Sequence, residues 1–539
     1  MLDTLRAHRV AVVAWVVGGA AAMYVMAIAI AQEMRDFPGG ARALAASIEP
    51  AAEAMRLLRW PAERLDTLGG YVTYHNVTLF TFFLSIYAAL LGARVIRGSE
   101  ADNSLEEVLA TGWSRSAVLR DRTLGVVAIL VLVSLGVGLG VAAAMAAGDE
   151  PDLSGSLATM AASGLAAFVA YALAVLVSQL VRAPRAAAGV AALVLTALYL
   201  ATNVWERIGP LGVVRFASPY HYANQSRALV PGHGFDVVAS VAMVVLAVGL
   251  VVAAGWLFER RDYGAAAWSR RARPTETVRP GRGWSVSPLL RTLTTAMLAR
   301  GWLGLLVWTA STAAFVGAMV WMQPAVMQVW ADFDVTASLA GGVVGTAEAQ
   351  YLAFIGEILA PVVAAYVVTQ ASGWVTDLDQ GRVEAVLSGP VSWARLVGER
   401  ILAATVGVVA ITAAGLLTMG VGAALVDSDI SADGLVRLGV TCVLLGVAVA
   451  GIASVVVVWL RSGVAVTVLA LYLGLAYLLT LLVPMLHWPE WVSRLSVLWA
   501  FGHPYLDWPS TTGLAVLLLL AALGGVLAAA IAGRTPKVA

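Results

Sequence analysis

Long runs of apolar residues are the feature of this 539-residue sequence that most limits what it can fold into. A helix needs about 20 apolar residues to cross the roughly 30 Å hydrocarbon core of a bilayer. Twelve runs have such a length, so we predict an all-α polytopic membrane protein with about twelve transmembrane helices. The predicted spans form two sets of six, at residues 10–31, 72–96, 123–147, 156–181, 186–205 and 237–258, and at residues 302–322, 350–375, 401–425, 435–460, 463–486 and 510–532.

The charge content supports a lipid environment and excludes several classes of function. Only 12% of the residues are charged, against about 25% in soluble domains. The net charge of +1 provides no basic excess for a phosphate backbone, so we expect no nucleic-acid partner. One cysteine, Cys442, cannot form an intrachain disulfide or a cysteine-based metal cluster, and no two of the six histidines have HExxH spacing. We expect neither a metal site nor catalytic residues in this chain.

The basic residues are almost all arginine, and this bears on nucleotide hydrolysis. Lys537 is the single lysine among the 34 basic residues, and it stands third from the end of the sequence. A phosphate-binding loop of the GxxxxGK[ST] type needs a lysine on the nucleotide phosphates. We therefore expect no bound cofactor and no ATPase activity in this chain, and any ATP-driven work must come from a partner.

The positions of the basic residues predict the orientation in the membrane. With a cytoplasmic N-terminus, the inner segments hold 24 of the 34 basic residues and the outer loops hold 10. Lys and Arg are enriched in cytoplasmic loops. Both termini are therefore predicted to be cytoplasmic. The first run is longer than the apolar part of a signal peptide, which favours an uncleaved helix.

The two halves of the sequence show an internal repeat. A shift of 278 positions lays residues 105–122 on residues 383–400 with five identities, and both segments fall between the second and third spans of their half. "SPY" at 218–220 and "HPY" at 503–505 each precede the last span of a half. We predict a first six-span half at 1–258, a basic cytoplasmic linker with an interfacial helix at 259–300, and a second six-span half at 301–539.

The repeated segment predicts a short amphipathic helix on the cytoplasmic side of each half. Apolar residues with i, i+3, i+4 spacing share one helical face, with glutamates beside it. The apolar residues are Leu105, Val108 and Leu109 in the first copy and Val383, Val386 and Leu387 in the second. Such a helix either docks on a cytoplasmic partner or merely connects two spans. Its acidic character disfavours the anionic inner leaflet, so we prefer docking.

These segments resemble a known family. "SLEEVLATGWSRSAVLRDR" and "RVEAVLSGPVSWARLVGER" are similar to the (E)-x-LL-x-x-P-[VI]-S-R segment of ABC-type export permeases of the type-2 fold. The fused twelve-span layout resembles the polyketide-antibiotic (tetronasin-like) exporter permeases. In that family the segment includes the coupling helix that meets a separately encoded ATPase. The matching positions are Glu106, Leu109 and Ser114 in the first copy and Glu384, Leu387 and Ser392 in the second.

The resemblance implies partners, cofactors and location. It implies a bacterial plasma membrane protein that exports apolar or amphipathic compounds such as drugs or antibiotics. ATP and magnesium would act through a cytoplasmic ABC ATPase, and two similar halves suggest two copies of it. The copies differ, because Gly112 stands where the second copy has Pro390, and Trp393 stands where the first has Arg115.

Glu357 is the clearest ionisable residue inside a predicted span. A carboxylate there costs roughly 2.5–3.5 kcal/mol on insertion scales, so it should face a wet cavity or the bundle interior. Glu357 is therefore a candidate for the substrate path, where it could bind a cation or carry a proton. The alternative is a position near the outer end of the span that reaches interfacial water. The loops at 38–68 and 323–349 are candidates for an outer gate or for structural bracing.

Two other classes of function remain as alternatives. A proton-coupled secondary multidrug transporter also has six plus six spans, but its loop between spans two and three is usually compact and carries no helix. It also usually places several charged residues in the membrane, where Glu357 stands almost alone. A membrane-embedded enzyme ranks last, because no paired acids, metal spacing or nucleophile–base arrangement is present.

Overall fold

A computed structural model gives the fold. It describes residues 2–57, 59–101, 104–181, 184–203, 209–263, 265, 292–332, 346–485 and 488–534. The described residues form helices and loops without a β-strand. The chain divides into two compact units, residues 1–278 and 279–539. The division falls inside the segment that the sequence assigns to a linker.

Ten α-helices lie in the described part of the first unit. Six of them are apolar and have 18 or more residues. Their order is α1 (Leu2–Ala7), α2 (Arg9–Asp36), α3 (Gly40–Ala54), α4 (Leu68–Glu100), α5 (Ser104–Ala110), α6 (Arg115–Ala147), α7 (Leu153–Leu180), α8 (Pro184–Asn203), α9 (Pro219–Ala223) and α10 (Val237–Arg260). A 3₁₀ segment at Met55–Leu57 follows α3, and another at Gly209–Ala217 precedes α9.

The second unit has the same order of long helices. They are α11 (Leu293–Asp332), α12 (Ala347–Asp379), α14 (Trp393–Leu425), α15 (Ala432–Leu460), α16 (Val464–Met485) and α18 (Thr511–Gly533). The short helices are α13 (Arg382–Leu387) and α17 (Glu490–Ser493), and a 3₁₀ segment lies at Val497–Phe501.

Eleven helices in the described part of the chain are long and apolar enough to cross a membrane. The twelfth predicted span, at 463–486, corresponds to α16, whose 22 residues measure about 33 Å at 1.5 Å per residue. The prediction of an all-α polytopic membrane protein is confirmed.

Equivalent helices pack together in the two units. In the first unit α7 packs against α4, α6 and α10, and α2 packs against α6. In the second unit α15 packs against α12, α14 and α18, and α11 packs against α14. Small residues permit close contacts: a Cβ added to Gly524 would lie 2.5 Å from the Cα of Gly451, so α15 and α18 meet backbone to backbone.

The segments before and after the seventh span differ from the prediction. Residues 293–300 form the first turns of α11 instead of a separate interfacial helix, and residues 288–291 lie outside the described part. No proline interrupts the chain between Leu293 and Trp321, so one continuous helix forms. At its other end α11 continues through Pro324 to Asp332, into the predicted 323–349 loop, and residues 333–345 of that loop are also outside the described part.

Candidate functional site

Two short helices occupy matching places in the two units. The helix α5 lies between α4 and α6, and α13 lies between α12 and α14, as the repeat predicts. Burial follows one pattern in both: a buried residue, two exposed residues, then two half-buried residues. These positions are Leu105, Glu106, Glu107, Val108 and Leu109 in α5, and Val383, Glu384, Ala385, Val386 and Leu387 in α13. The repeat therefore extends from sequence to the environment of single side chains.

The apolar faces of the two helices turn toward their own units. Leu105 is 0% exposed and belongs to the core of the first unit, and Val108 and Leu109 pack partly against that core. Val383 is 1% exposed. Burial of these residues anchors the helices. The positions left exposed to a partner include Glu106 and Glu107 in α5, and Arg382, Glu384 and Ala385 in α13. Glu106 and Glu384 lie on this exposed surface.

Ser114 and Ser392 cap the helices that follow. The hydroxyl oxygen of Ser114 accepts a hydrogen bond from the backbone N–H of Ala117 at 3.2 Å, and that of Ser392 accepts one from the N–H of Arg395 at 3.3 Å. A serine at this position satisfies a backbone donor that the first helical turn leaves free. The motif serine therefore fixes where each span begins, just after the short helix.

Arg122 and Arg400 tie the third span of each unit to the second. Arg122 donates a hydrogen bond to the hydroxyl oxygen of Ser99 at 2.7 Å, and Arg400 donates one to Asp377 at 3.5 Å. The two arginines are 278 positions apart, and so are their two partners. Asp377 also pairs with Arg382, the first residue of α13, at 3.1 Å. The contact links the short helix of the second unit to its spans.

A buried ionic network lies near α5 in the first unit, and sequence reasoning missed it. The carboxylate of Glu100 accepts hydrogen bonds from Arg97 at 2.8 Å and from Arg261 at 2.5 Å. Gln179 accepts from the Nε of Arg261 at 2.8 Å. Glu100 and both arginines are less than 9% exposed. The network joins the ends of α4, α7 and α10. In the sequence, the i, i+3 spacing of Arg97 and Glu100 was a signal from which this ion pair could have been predicted.

The exposed surfaces next to the two short helices differ. Gly112 has a φ of +90°, which favours glycine, whereas the second unit has Pro390 at the matching position. Trp113, three residues after the end of α5, is 50% exposed, and its counterpart is Val391. A partner would therefore meet an aromatic surface on one unit and a smaller aliphatic one on the other.

The structure places Glu357 next to His503. The Nδ1 of His503 lies 2.5 Å from the Oε1 of Glu357, and the side chains are 50% and 35% exposed, respectively. His503 lies in the loop before α18, and Tyr477 of α16 lies within electrostatic range of Glu357. The hydrogen bond to the Glu357 carboxylate raises the pKa of His503 above its usual value of about 6.5, although partial burial opposes this. The sequence analysis noted the "HPY" motif that contains His503, but it predicted no partner for this residue.

Family comparisons cover most of the chain. A family model described as ABC-2 family transporter protein matches residues 10–263. A second model, described as the C-terminal domain of the multidrug efflux system permease Rv1217c, matches residues 295–533. The chain is an ABC-2 type permease. A comparison with curated proteins finds no match.

The family assignment confirms the resemblance on which the sequence analysis relied. The permease belongs to an ABC exporter for drugs, and it is a multi-pass membrane protein. Membership of this family implies association with an ABC ATPase. The assignment displaces the secondary-transporter and membrane-enzyme alternatives. In the part of the permease that the structure describes, no group of three His, Cys, Asp or Glu residues is placed to hold a metal ion.

Proposed function

We propose that this permease moves apolar or amphipathic compounds out of the bacterial cell, driven by two copies of a separate ABC ATPase. One ATPase copy docks on α5 and the other on α13. The observation that carries the proposal is the shared burial pattern of the two helices at a spacing of 278 residues. A helix that only connects two spans needs no such match of burial pattern, with an exposed glutamate directly after the buried residue in both copies.

The contacts around the helices support transmission of movement to the spans. Leu105 anchors α5 in the core of the first unit, and Arg382 at the start of α13 pairs with Asp377 at the end of α12. Ser114 and Ser392 cap the next span within a few residues of each helix. A displacement of α5 or α13 by a partner would therefore move the two spans that flank it. ATP and magnesium act in the partner, and the permease supplies the docking surfaces.

The Glu357–His503 pair is proposed to line the substrate path. Both side chains are partly exposed, and Tyr477 adds an aromatic surface beside the carboxylate. A carboxylate next to an aromatic ring can bind an organic cation through charge and cation–π attraction. This assigns cationic amphipathic compounds to the site, while neutral cargo depends on apolar walls.

Charge reversal on the two helices tests the docking proposal. We expect Glu106→Lys combined with Glu384→Lys to weaken co-purification of the ATPase and to lower transport, because both changes reverse the charge of the proposed contact surface. Membrane insertion should be unchanged, since both side chains are exposed. The measurement is the amount of ATPase retained by affinity-tagged permease.

Asp3→Lys with Glu259→Lys is the matched control. It makes the same change in net charge at exposed acidic residues outside the two helices. Normal retention of the ATPase by the Glu106/Glu384 variant, or equal loss in the control, would show that the helices only connect spans.

A further inference from the structure

The two repeats differ in the residues that line a cleft in the second unit. It is narrow and opens between the ends of α12 and α15 and the start of α14. Trp374 and Trp393 form part of its lining, Val397 and Val458 contribute apolar surface, and Arg400 lies among them. These helix ends are the ones that the positive charges place on the cytoplasmic side.

Arg400 in this cleft is a buried cation with incomplete pairing. It is 7% exposed, and its Nε is buried without a hydrogen-bond partner. Its Nη2 reaches the Oδ2 of Asp377 only at 3.5 Å. Asp377 also pairs with Arg382 at 3.1 Å and Arg300 at 3.9 Å, so one carboxylate serves three guanidinium groups. The cleft therefore has positive charge available for an anion.

In the first unit, the arginines near the equivalent helix ends find hydrogen-bond partners within the chain. Position 100, which aligns with Leu378 of the cleft lining, is the glutamate that pairs with Arg97 and Arg261. Position 115, which aligns with Trp393, is an arginine that donates to the carbonyl oxygens of Phe258 and Arg261. The second unit replaces these polar groups with apolar ones and keeps the arginine that aligns with Arg122. An anion bound from outside the chain would supply the hydrogen-bond acceptors and negative charge that Arg400 lacks.

We propose that this cleft binds an acidic phospholipid of the cytoplasmic leaflet. The phosphate accepts hydrogen bonds from Arg400, and an acyl chain lies along Val397 and Val458. Arg461, whose guanidinium lies 5.8 Å from the ring centre of Trp393, adds positive charge at the edge. Tryptophan and arginine together are typical of the interface where lipid headgroups lie. A soluble anion would have no use for the apolar walls, so the cleft favours a lipid over free phosphate.

The test measures lipid binding to the full chain without any ATPase, so it can fail independently of the proposed function. The purified permease in detergent is mixed with phosphatidylglycerol and phosphatidylcholine of identical acyl chains, and retained lipid is counted by native mass spectrometry. We expect the wild type to prefer phosphatidylglycerol roughly fivefold or more. Arg400→Gln should remove this preference. Val458→Phe, which fills the cleft and keeps Arg400, should reduce the binding of both lipids.

Arg395→Gln is the matched control. Arg395 lies in the same first turns of α14 but is 58% exposed and pairs with Glu399 at 3.7 Å. Its substitution should leave the preference unchanged. Any of three outcomes would overturn the proposal. The wild type could retain the two lipids equally, Arg395→Gln could lose the preference for phosphatidylglycerol, or Val458→Phe could bind both lipids as fully as the wild type. Displacement of the lipid by millimolar inorganic phosphate would instead identify a site for free anions.

Discussion

A charged side chain inside a membrane helix needs compensation, and Glu357 finds it in His503. Their contact reaches from α12 to the loop before α18, across 146 residues of sequence. A protonated imidazole neutralises the carboxylate and so reduces the cost of placing it in the span. Because both side chains remain partly exposed, a cationic compound can compete with His503 for the same oxygen atoms.

Glu357→Gln should lower the efflux of cationic amphipathic compounds several-fold and change that of neutral ones little. The substitution removes charge and keeps size, and attraction between a carboxylate and a cation is stronger in a site of low dielectric constant than in water. The measurement is the efflux from cells of two compounds of similar size, one cationic and one neutral. Equal efflux of both by wild type and variant would reduce Glu357 to an interfacial residue.

His503 should make cation transport depend on pH. Its pKa is raised by the contact with Glu357, so the ion pair and the stability that it contributes are fully present below about pH 6.5 and are lost as pH rises through the higher native pKa. Loss of the proton frees Glu357 for a cation. Cationic efflux should therefore increase with pH over this range, and His503→Gln should flatten the profile. If His503→Gln leaves the pH profile of cationic efflux unchanged, His503 does not control access to Glu357.

At the scale of elements, α5 and α13 are held by buried apolar residues and are exposed along their acidic edges. The side chains that hold each helix in its unit are therefore different from those that the proposed partner would contact. Leu105 is buried in the first unit's core, whereas Glu106 is exposed at the next position. Substitutions at the two sites should thus have different consequences, even though the residues are neighbours.

Leu105→Ala should destabilise the purified permease in the absence of any partner. Replacing a buried leucine with alanine costs about 2–5 kcal/mol, because contacts are lost and a cavity remains. Leu132→Ala in α6 is the control, since Leu132 is 46% exposed. Thermal unfolding in detergent is the measurement. A similar small shift for both variants would show that Leu105 does not anchor α5.

Hydropathy predicted the spans well because the run of apolar residues is a local property. Each predicted span overlaps one described helix. Leu153–Leu180 against 156–181 is a close match, whereas Leu293–Asp332 extends past 302–322 by nine residues at its start and ten at its end. The partners of buried charges could not be predicted in this way. Glu100 meets Arg261 across 161 residues, and Glu357 meets His503 only because a loop folds back onto α12. Likewise, spacing alone could not tell whether Leu105 faces its own unit or a partner.

At the scale of the whole molecule, two six-span units and the two short helices α5 and α13 belong to one polypeptide. The same helix pairs pack in each unit, and the family models divide the chain at nearly the same place as the structure. A chain with two docking surfaces is expected to engage two ATPase molecules. Neither surface is a copy of the other, because Trp113 and Pro390 lie in one unit each.

Purified alone, the permease should not hydrolyse ATP above background, since its single lysine is Lys537 and no phosphate-binding loop surrounds it. With the partner present, activity should return, and native mass spectrometry should find two ATPase molecules per permease. Hydrolysis by the isolated chain that survives removal of contaminants would contradict the first expectation. A single bound ATPase at saturation would contradict the second.

The unequal repeats have an evolutionary consequence. In a symmetric homodimer, every substitution appears at both equivalent sites, so neither site can change without the other. Fusion of the halves removes that constraint: a mutation at Arg400 leaves Arg122 untouched, and one at Trp113 leaves Val391 as it was. One half can then keep an ionic network that is paired within the chain, while the other half evolves a site for a new ligand. Selection can thus assign different tasks to two halves that share the same order of helices.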